Sequence, residues 1–386
     1  MKTLYLKSSV TILPNEKVND ISVTIHNGNI SEISSSQRDL VADEIVKLNN
    51  TTLFAGFIDI HNHGAVGIDV NTATVDDLFT VSKFLATKGV TAWLPTFVPD
   101  STENYQKVID AIDEVIQTQD KREEVGARIL GVHYEGVFAN EKMCGALRPQ
   151  YFKTFKNGDE LNDIPKLKTP NAIHLTTLAP EIEGGIELIK ELKKQGWIVS
   201  IGHTRADLET LEKAKSAGAS HVTHLFNAMT GVHHRDIGVA GWALTNDISC
   251  EIIADGIHVH PKMLKFAYQN KTAEKLTLVS DSVAPTGLGD GNFELWNEKI
   301  SVINGKTQNE RGSIAGSVIT MLEAVNQMLS IGVPEIEVSK MASLAPAKVL
   351  GIEKDYGSIQ IDKRADLIAL DEQGNVKMTI IGGKML

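Results

Sequence analysis

At 386 residues and 42% hydrophobic content, the chain can bury a barrel-sized core with a small domain beside it. Only 5% aromatics beside 31 glycines suit an α/β enzyme and exclude a fibrous or disordered chain. A net charge of −11 argues against a nucleic acid or an anionic membrane as partner, and an anionic small substrate would need local cations.

The opening MKTLYLKSSV has no apolar signal core, and no run of about 18 apolar residues follows. Cys144 and Cys250 stand far apart in no metal-type spacing, so a reducing, cytoplasmic setting is expected. Residues 1–50 read as short strands and turns. In VTIHNGNISEI an Asn-Gly pair between alternating runs predicts a hairpin. The final stretch GSIQIDKRADLIALDEQGNVKMTIIGGKML has the same texture.

Between these ends, short apolar runs alternate with amphipathic segments of helical length. The runs are 53–60, 91–96, 128–135, 172–179, 197–204, 221–227, 250–255 and 276–281. Helices are predicted over 76–88, 102–119, 184–195, 206–217 and 261–270, with two more over 317–330 and 337–350. Eight strands with helical crossovers predict a (β/α)8 TIM-type barrel, with a doubly wound sheet as the alternative.

Polar residues gather at the ends of these runs. His61 and His63 follow the first run, and Glu135 closes the third. His203 ends the fifth, His224 lies in the sixth, and Asp281 closes the eighth. In barrel enzymes the C-terminal strand ends form the reactive face. Strand residues i and i+2 point the same way, so His61 and His63 can share one metal. Glu135 is a candidate bridge, His203 and His224 can hold a second metal, and Asp281 can bind the first and exchange protons. Four histidines and two carboxylates suit one or two divalent metals, Zn, Fe, Mn or Co. Such a site lowers the pKa of a water towards about 7 for attack on a carbonyl. His133 reads as a hydrogen-bonded core histidine, and His26, His174 and His221 as structural or solvated. GLGDG (287–291) lacks the setting of a phosphate loop and reads as a plain loop or lid.

These residues in this order resemble the amidohydrolase superfamily, and within it the N-acetylglucosamine-6-phosphate deacetylases. The matching stretches are GFIDIHNHG, GVHYEG, VSIGHT, THLFNAM, DGIHVHP, LVSD and SIAGS, and GSIQIDKRADLIALD matches the usual C-terminal strand. The resemblance implies a barrel over 53–352 and a small β-sandwich domain built from 1–52 and 353–386. It implies metal ligation by Glu135, His203 and His224, with His61 and His63 as the pair kept by two-metal members. It makes Asp281 the catalytic aspartate. Substrate contacts fall on Asn227, Ala228, Arg235, His258 and Ile314, the last where the family usually has leucine. The family's arginine reaches the neighbouring subunit's site, which implies a homodimer with Arg235 shared across the interface.

The implied reaction splits the acetamide of an amino-sugar phosphate, releasing acetate. Three departures bear on the sugar. EGVFANEKMCGAL puts Leu147 where the family usually has a substrate-contacting histidine. The familiar HREPG is HRDIG, and the eighth strand reads SDSVAPTG rather than the usual TDA type. N-acetylgalactosamine 6-phosphate is therefore an alternative substrate. Hydrolysis of cyclic amides or acylamino acids is a second alternative. Many cyclic-amide enzymes bridge their metals with a modified lysine on strand 4, and HLTTLA offers none. A binding protein that kept the fold is a third reading; it predicts missing ligands, and none is missing.

Overall fold

The structure is a computed structural model and describes residues 3–35 and 42–386. The remaining residues of the expected small domain, 1–2 and 36–41, lie outside that description. Eight parallel strands run in sequential order: β1 (Phe57–Asn62), β2 (Val90–Phe97), β3 (Gly131–Phe138), β4 (Ile173–Leu178), β5 (Ile198–Ile201), β6 (His221–Val222), β7 (Ser249–Ile253) and β8 (Leu276–Val279). A doubly wound sheet would reverse its strand order at a switch point, and this order does not. The ring closes just beyond the end of β8. Asp281 N–H donates to the His61 carbonyl at 2.9 Å, and His63 N–H donates to the Ser282 carbonyl at 2.8 Å.

Helices pack on the outside where periodicity and capping place them. α1 (Val75–Thr87) starts with a reciprocal Thr74–Asp77 capping box and buries Leu78, Val81 and Leu85. α2 (Thr102–Thr118), α3 (Gly185–Lys194), α4 (Leu208–Ala217), α5 (Gly238–Thr245), α6 (Pro261–Asn270) and α7 (Met321–Ser330) follow. The connection from β3 to β4 holds only short 3-10 turns. The predicted helix over 337–350 is interrupted by a wider turn at Lys340–Leu344. No helix among the described residues is long and apolar enough to cross a membrane.

Both chain ends meet in one seven-stranded sheet with its own core, which includes Leu6, Val23, Leu53, Leu367 and Ile380. Its strands form one continuous hydrogen-bonded path. The edge strand Asn29–Ser34 bonds to the stretch before the C-terminal strands, with Ile30 N–H donating to the Lys363 carbonyl at 2.8 Å. The predicted hairpin is present: Asn27 and Gly28 turn with φ of 51° and 84°, the left-handed geometry that Asn-Gly tolerates.

One element was not expected. Beyond β8, the strands Gly291–Leu295, Glu298–Ile303 and Lys306–Asn309 make an antiparallel arm. The Asn304-Gly305 pair between its second and third strands is the signal that could have announced it. GLGDG is the loop that leads into this arm.

Candidate metal centre

The C-terminal strand ends bring six ionisable side chains together, all almost fully buried. His61 Nε2 lies 3.2 Å from His63 Nε2, and His203 Nε2 lies 3.1 Å from His224 Nε2. Glu135 sits between the pairs. Its Oε1 is 3.1 Å from His203 and 3.0 Å from His224, and its Oε2 is 3.3 Å from His63. Asp281 Oδ1 completes the ring at 3.5 Å from His61 and 3.3 Å from His63.

Local backbone geometry aims these groups. His61 and His63 share a face through the two-residue strand period. Glu135 is followed by Gly136 at φ 73°, where the pairing of β3 with β4 slips. Glu135 does not close its strand as the apolar run predicts, because β3 continues to Phe138. His224 is likewise not in β6, which stops at Val222. His203, His224 and Asp281 all lie past their strands with positive φ, at 48°, 29° and 51°. Left-handed backbone is unfavourable for such residues, and it turns each side chain into the barrel mouth.

The outer ring nitrogens are anchored, which frees the inner ones. His61 Nδ1 meets Glu251 Oε2 at 2.9 Å. His63 Nδ1 meets the Thr96 carbonyl at 3.1 Å, and His203 Nδ1 meets the Met143 carbonyl at 2.8 Å. His224 Nδ1 is buried without a hydrogen-bond partner. Each anchored ring donates its Nδ1 proton outward, which leaves the inward Nε2 to a proton or to a metal ion. Converging lone pairs repel one another unless a cation lies among them, so the donor set fits a divalent metal. Three triads among the described residues have ligand atoms close enough to share an ion: His61, His63 and Glu135; Glu135, His203 and His224; and His61, His133 and Glu251, of which the first two share Glu135 at the cavity floor.

The electrostatics point the same way. Burial disfavours a charged His61, but the carboxylates of Glu135, Asp281 and Glu251 outweigh it and hold its pKa well above the imidazole range. Burial also lowers His63, yet hydrogen bonds to Asp281 and Glu135 raise it to about 9. Burial would raise Glu135 and Asp281; the imidazoles, His61 foremost, hold Glu135 well below the carboxylate range and lower Asp281. The cluster therefore attracts positive charge.

A cavity of about 320 Å³ opens above it. His63, Glu135, His203, His224 and Asp281 line it, and so do Leu147, Asn227, Ala228, His258 and Ile314. The His258 ring is fixed by Asp255 at 2.6 Å. Arg235 is elsewhere, on an exposed loop after β6. His133 spans the Ile60 carbonyl at 3.1 Å and Thr177 Oγ1 at 2.7 Å, and burial depresses its pKa to about 3. It is the core histidine that the sequence suggested. His174 and His221 are hydrogen-bonded structural residues, while His26 is exposed. Among the described residues neither cysteine is paired.

Two contributors were missed. Glu251 is fully buried beneath His61, and a carboxylate inside the apolar run CEIIAD was the available signal. Trp296, from the arm, also lines the cavity.

Residues 52–386 match the amidohydrolase family. This chain belongs to that family. Its members are metal-dependent, and the His/Glu cluster supports a divalent metal here. The N-acetylglucosamine-6-phosphate deacetylase of Bacillus subtilis (strain 168) is 34% identical over 394 aligned residues, covering 100% of this chain and 97% of that protein. The N-acetylgalactosamine-6-phosphate deacetylase of Escherichia coli O157:H7 is 33% identical, covering 86% of this chain and 87% of that protein. The crystal structure of the Pasteurella multocida N-acetylglucosamine-6-phosphate deacetylase superposes with a TM-score of 0.90 at 28% identity, covering 100% of this chain and 99% of that one. The resemblance read from the motifs thus extends over the full chain, and the barrel with its separate sheet domain is shared.

Proposed function

We propose that this amidohydrolase hydrolyses the acetamide of N-acetylglucosamine 6-phosphate, giving glucosamine 6-phosphate and acetate. The observation that carries the reading is the bridged cluster of His61, His63, Glu135, His203 and His224, with Asp281 at its edge, on the floor of a sugar-sized cavity. The donors suit two divalent cations per chain, Zn, Fe, Mn or Co. When bound, such a cation polarises the amide carbonyl and makes a nucleophilic water available near neutral pH.

The chain's own residues do the rest. His61, His63, Glu135, His203 and His224 hold the charge in a water-poor site, where it acts most strongly. Asp281, whose carboxyl burial would raise but the neighbouring imidazoles hold below its ordinary range, is ionised at neutral pH and accepts the proton of the attacking water. It then returns that proton to the departing nitrogen, since an amine anion leaves very poorly. Asn227, Ala228, His258 and Ile314 flank the sugar. We assign 53–352 to this catalytic barrel and 1–52 with 353–386 to the sheet domain. Two unpaired cysteines suit a cytoplasmic setting.

A phosphate dianion needs fixed cations, and a chain with a net charge of −11 has none in excess. Arg235 is exposed beyond its own cavity, so we assign it to the site of a two-fold-related subunit in a homodimer. A second sugar, N-acetylgalactosamine 6-phosphate, is favoured by the 33% identity to the Escherichia coli deacetylase named for it. Acetate release across N-acetylated sugars, with and without the 6-phosphate, tests the reading. Release from the 6-phosphates alone is expected; faster turnover of a cyclic amide would replace it with the rival activity.

A further inference from the structure

Trp296 stands at the tip of the antiparallel arm. Leu295 pairs with Glu298, leaving a two-residue turn of Trp296 and Asn297 with φ of 55° and 63°. Such turns favour Asn-Gly or Asp-Gly, because a side chain crowds the backbone in the left-handed region. A bulky indole at the first turn position is unfavourable locally, and an outlier of this kind is a pointer to function. What the indole touches supplies the compensation. Its ring lies 5.5 Å from that of His63, edge to face at 78°. It also packs against the buried cluster that Leu147 forms with Val98 and Ala139.

The cavity has two unlike sides. Asn227 and His258 come from the loops after β6 and β7 and make one side polar. Ala146 and Leu147, from the loop after β3, make the other side apolar with Trp296. Strands 3 and 7 are four apart in an eight-stranded ring, so these sides face each other across the barrel mouth. The carbonyl carbon of an amide bears the amine nitrogen and the acyl chain in diverging directions. With the sugar phosphate on the polar side and the carbonyl at the histidines, the acyl chain runs towards the apolar side.

We propose that Trp296, backed by Leu147, is the wall of an acyl pocket and sets the length of N-acyl group that the site accepts. This rests on the N-acyl sugar phosphate reading above. The indole fills the space beside His63, so the acyl group that fits is short, as acetyl is. Trp296 selects; it does not take part in proton transfer.

The experiment measures kcat/KM for N-acetyl-, N-propionyl- and N-butyryl-glucosamine 6-phosphate with the wild type, Trp296→Ala and Trp296→Phe, each checked for folding and metal content. Apolar pockets discriminate by about tenfold or more per methylene, so the butyryl-to-acetyl ratio should rise at least about tenfold in Trp296→Ala, with Trp296→Phe between. A merely structural role lowers all three substrates together, and a ratio unchanged within about twofold overturns the acyl wall. If Trp296→Ala does not fold, Trp296→Phe decides: a ratio about threefold higher supports the wall, and an unchanged ratio overturns it. A wild type that turns over none of the three overturns the deacetylase reading, and the acyl wall with it.

Discussion

One oxygen of Glu251 holds two arms of the candidate metal site: its Oε2 meets His61 Nδ1 at 2.9 Å and accepts the His224 backbone N–H at 3.2 Å. The carboxylate is fully buried, and burial alone would raise its pKa, but His61 and then His221 hold it well below the usual range. Glu251→Gln keeps the shape and removes the charge that fixes the His61 tautomer. Metal affinity should fall about 10–100-fold, measured by competition with a chelator. An affinity unchanged within about twofold would leave Glu251 a packing residue only.

Replacing His61 and His63 with alanine together should remove one metal and spare the other. Glu135, His203 and His224 remain as a complete triad. Elemental analysis of wild type and double variant checks this. A single metal per chain in both proteins would defeat the two-metal assignment without touching the fold.

Asp281→Asn should fold, bind metal and hardly turn over. Its Oδ1 sits 3.3 Å from His63, so the swap keeps the contact distance and removes the proton carrier. General acid–base help is worth about 10²–10⁴-fold, and kcat should fall by that order. Activity within about threefold of wild type at full metal content would assign the proton to another group.

Sharing of Arg235 can be read by subunit exchange. Arg235→Ala and Asp281→Asn each damage one function, and random equal pairing makes half the dimers mixed. If the arginine acts across the interface, each mixed dimer has one intact site, and activity returns to about a quarter of wild type. Verified exchange without recovery would place Arg235 in its own chain's site, or outside any site.

His174 makes stability depend on pH. Its ring accepts the Leu167 N–H at 3.0 Å and lies 4.9 Å from Trp197, and burial lowers its pKa from 6.5 to about 4. The unfolded chain therefore takes up this proton first as pH falls. Stability from this group is complete above about pH 6.5 and is lost towards about pH 4, at up to about 1.4 kcal/mol per pH unit. Denaturant unfolding of wild type and His174→Gln at pH 7, 6 and 5 should show a gap between them that changes with pH. A constant gap would remove His174 from the acid response.

The barrel was legible because parallel strands buried on both faces read as apolar runs, and local period and capping mark the helices between them. His61 and His63 were legible for the same reason, since a two-residue period puts both on one face. The motif order located Glu135, His203, His224 and Asp281 near strand ends. Their aim into one cluster depends on left-handed turns at His203, His224 and Asp281, which hydrophobic pattern does not encode. Glu251 reaches His61 across 190 residues, and Trp296 reaches His63 from an arm beyond the last barrel strand. Periodicity reports only a residue's immediate neighbours along the chain. Which buried carboxylate orients a ligand, and which indole walls the cavity, was decided by ring closure, which sets residues from distant strands side by side.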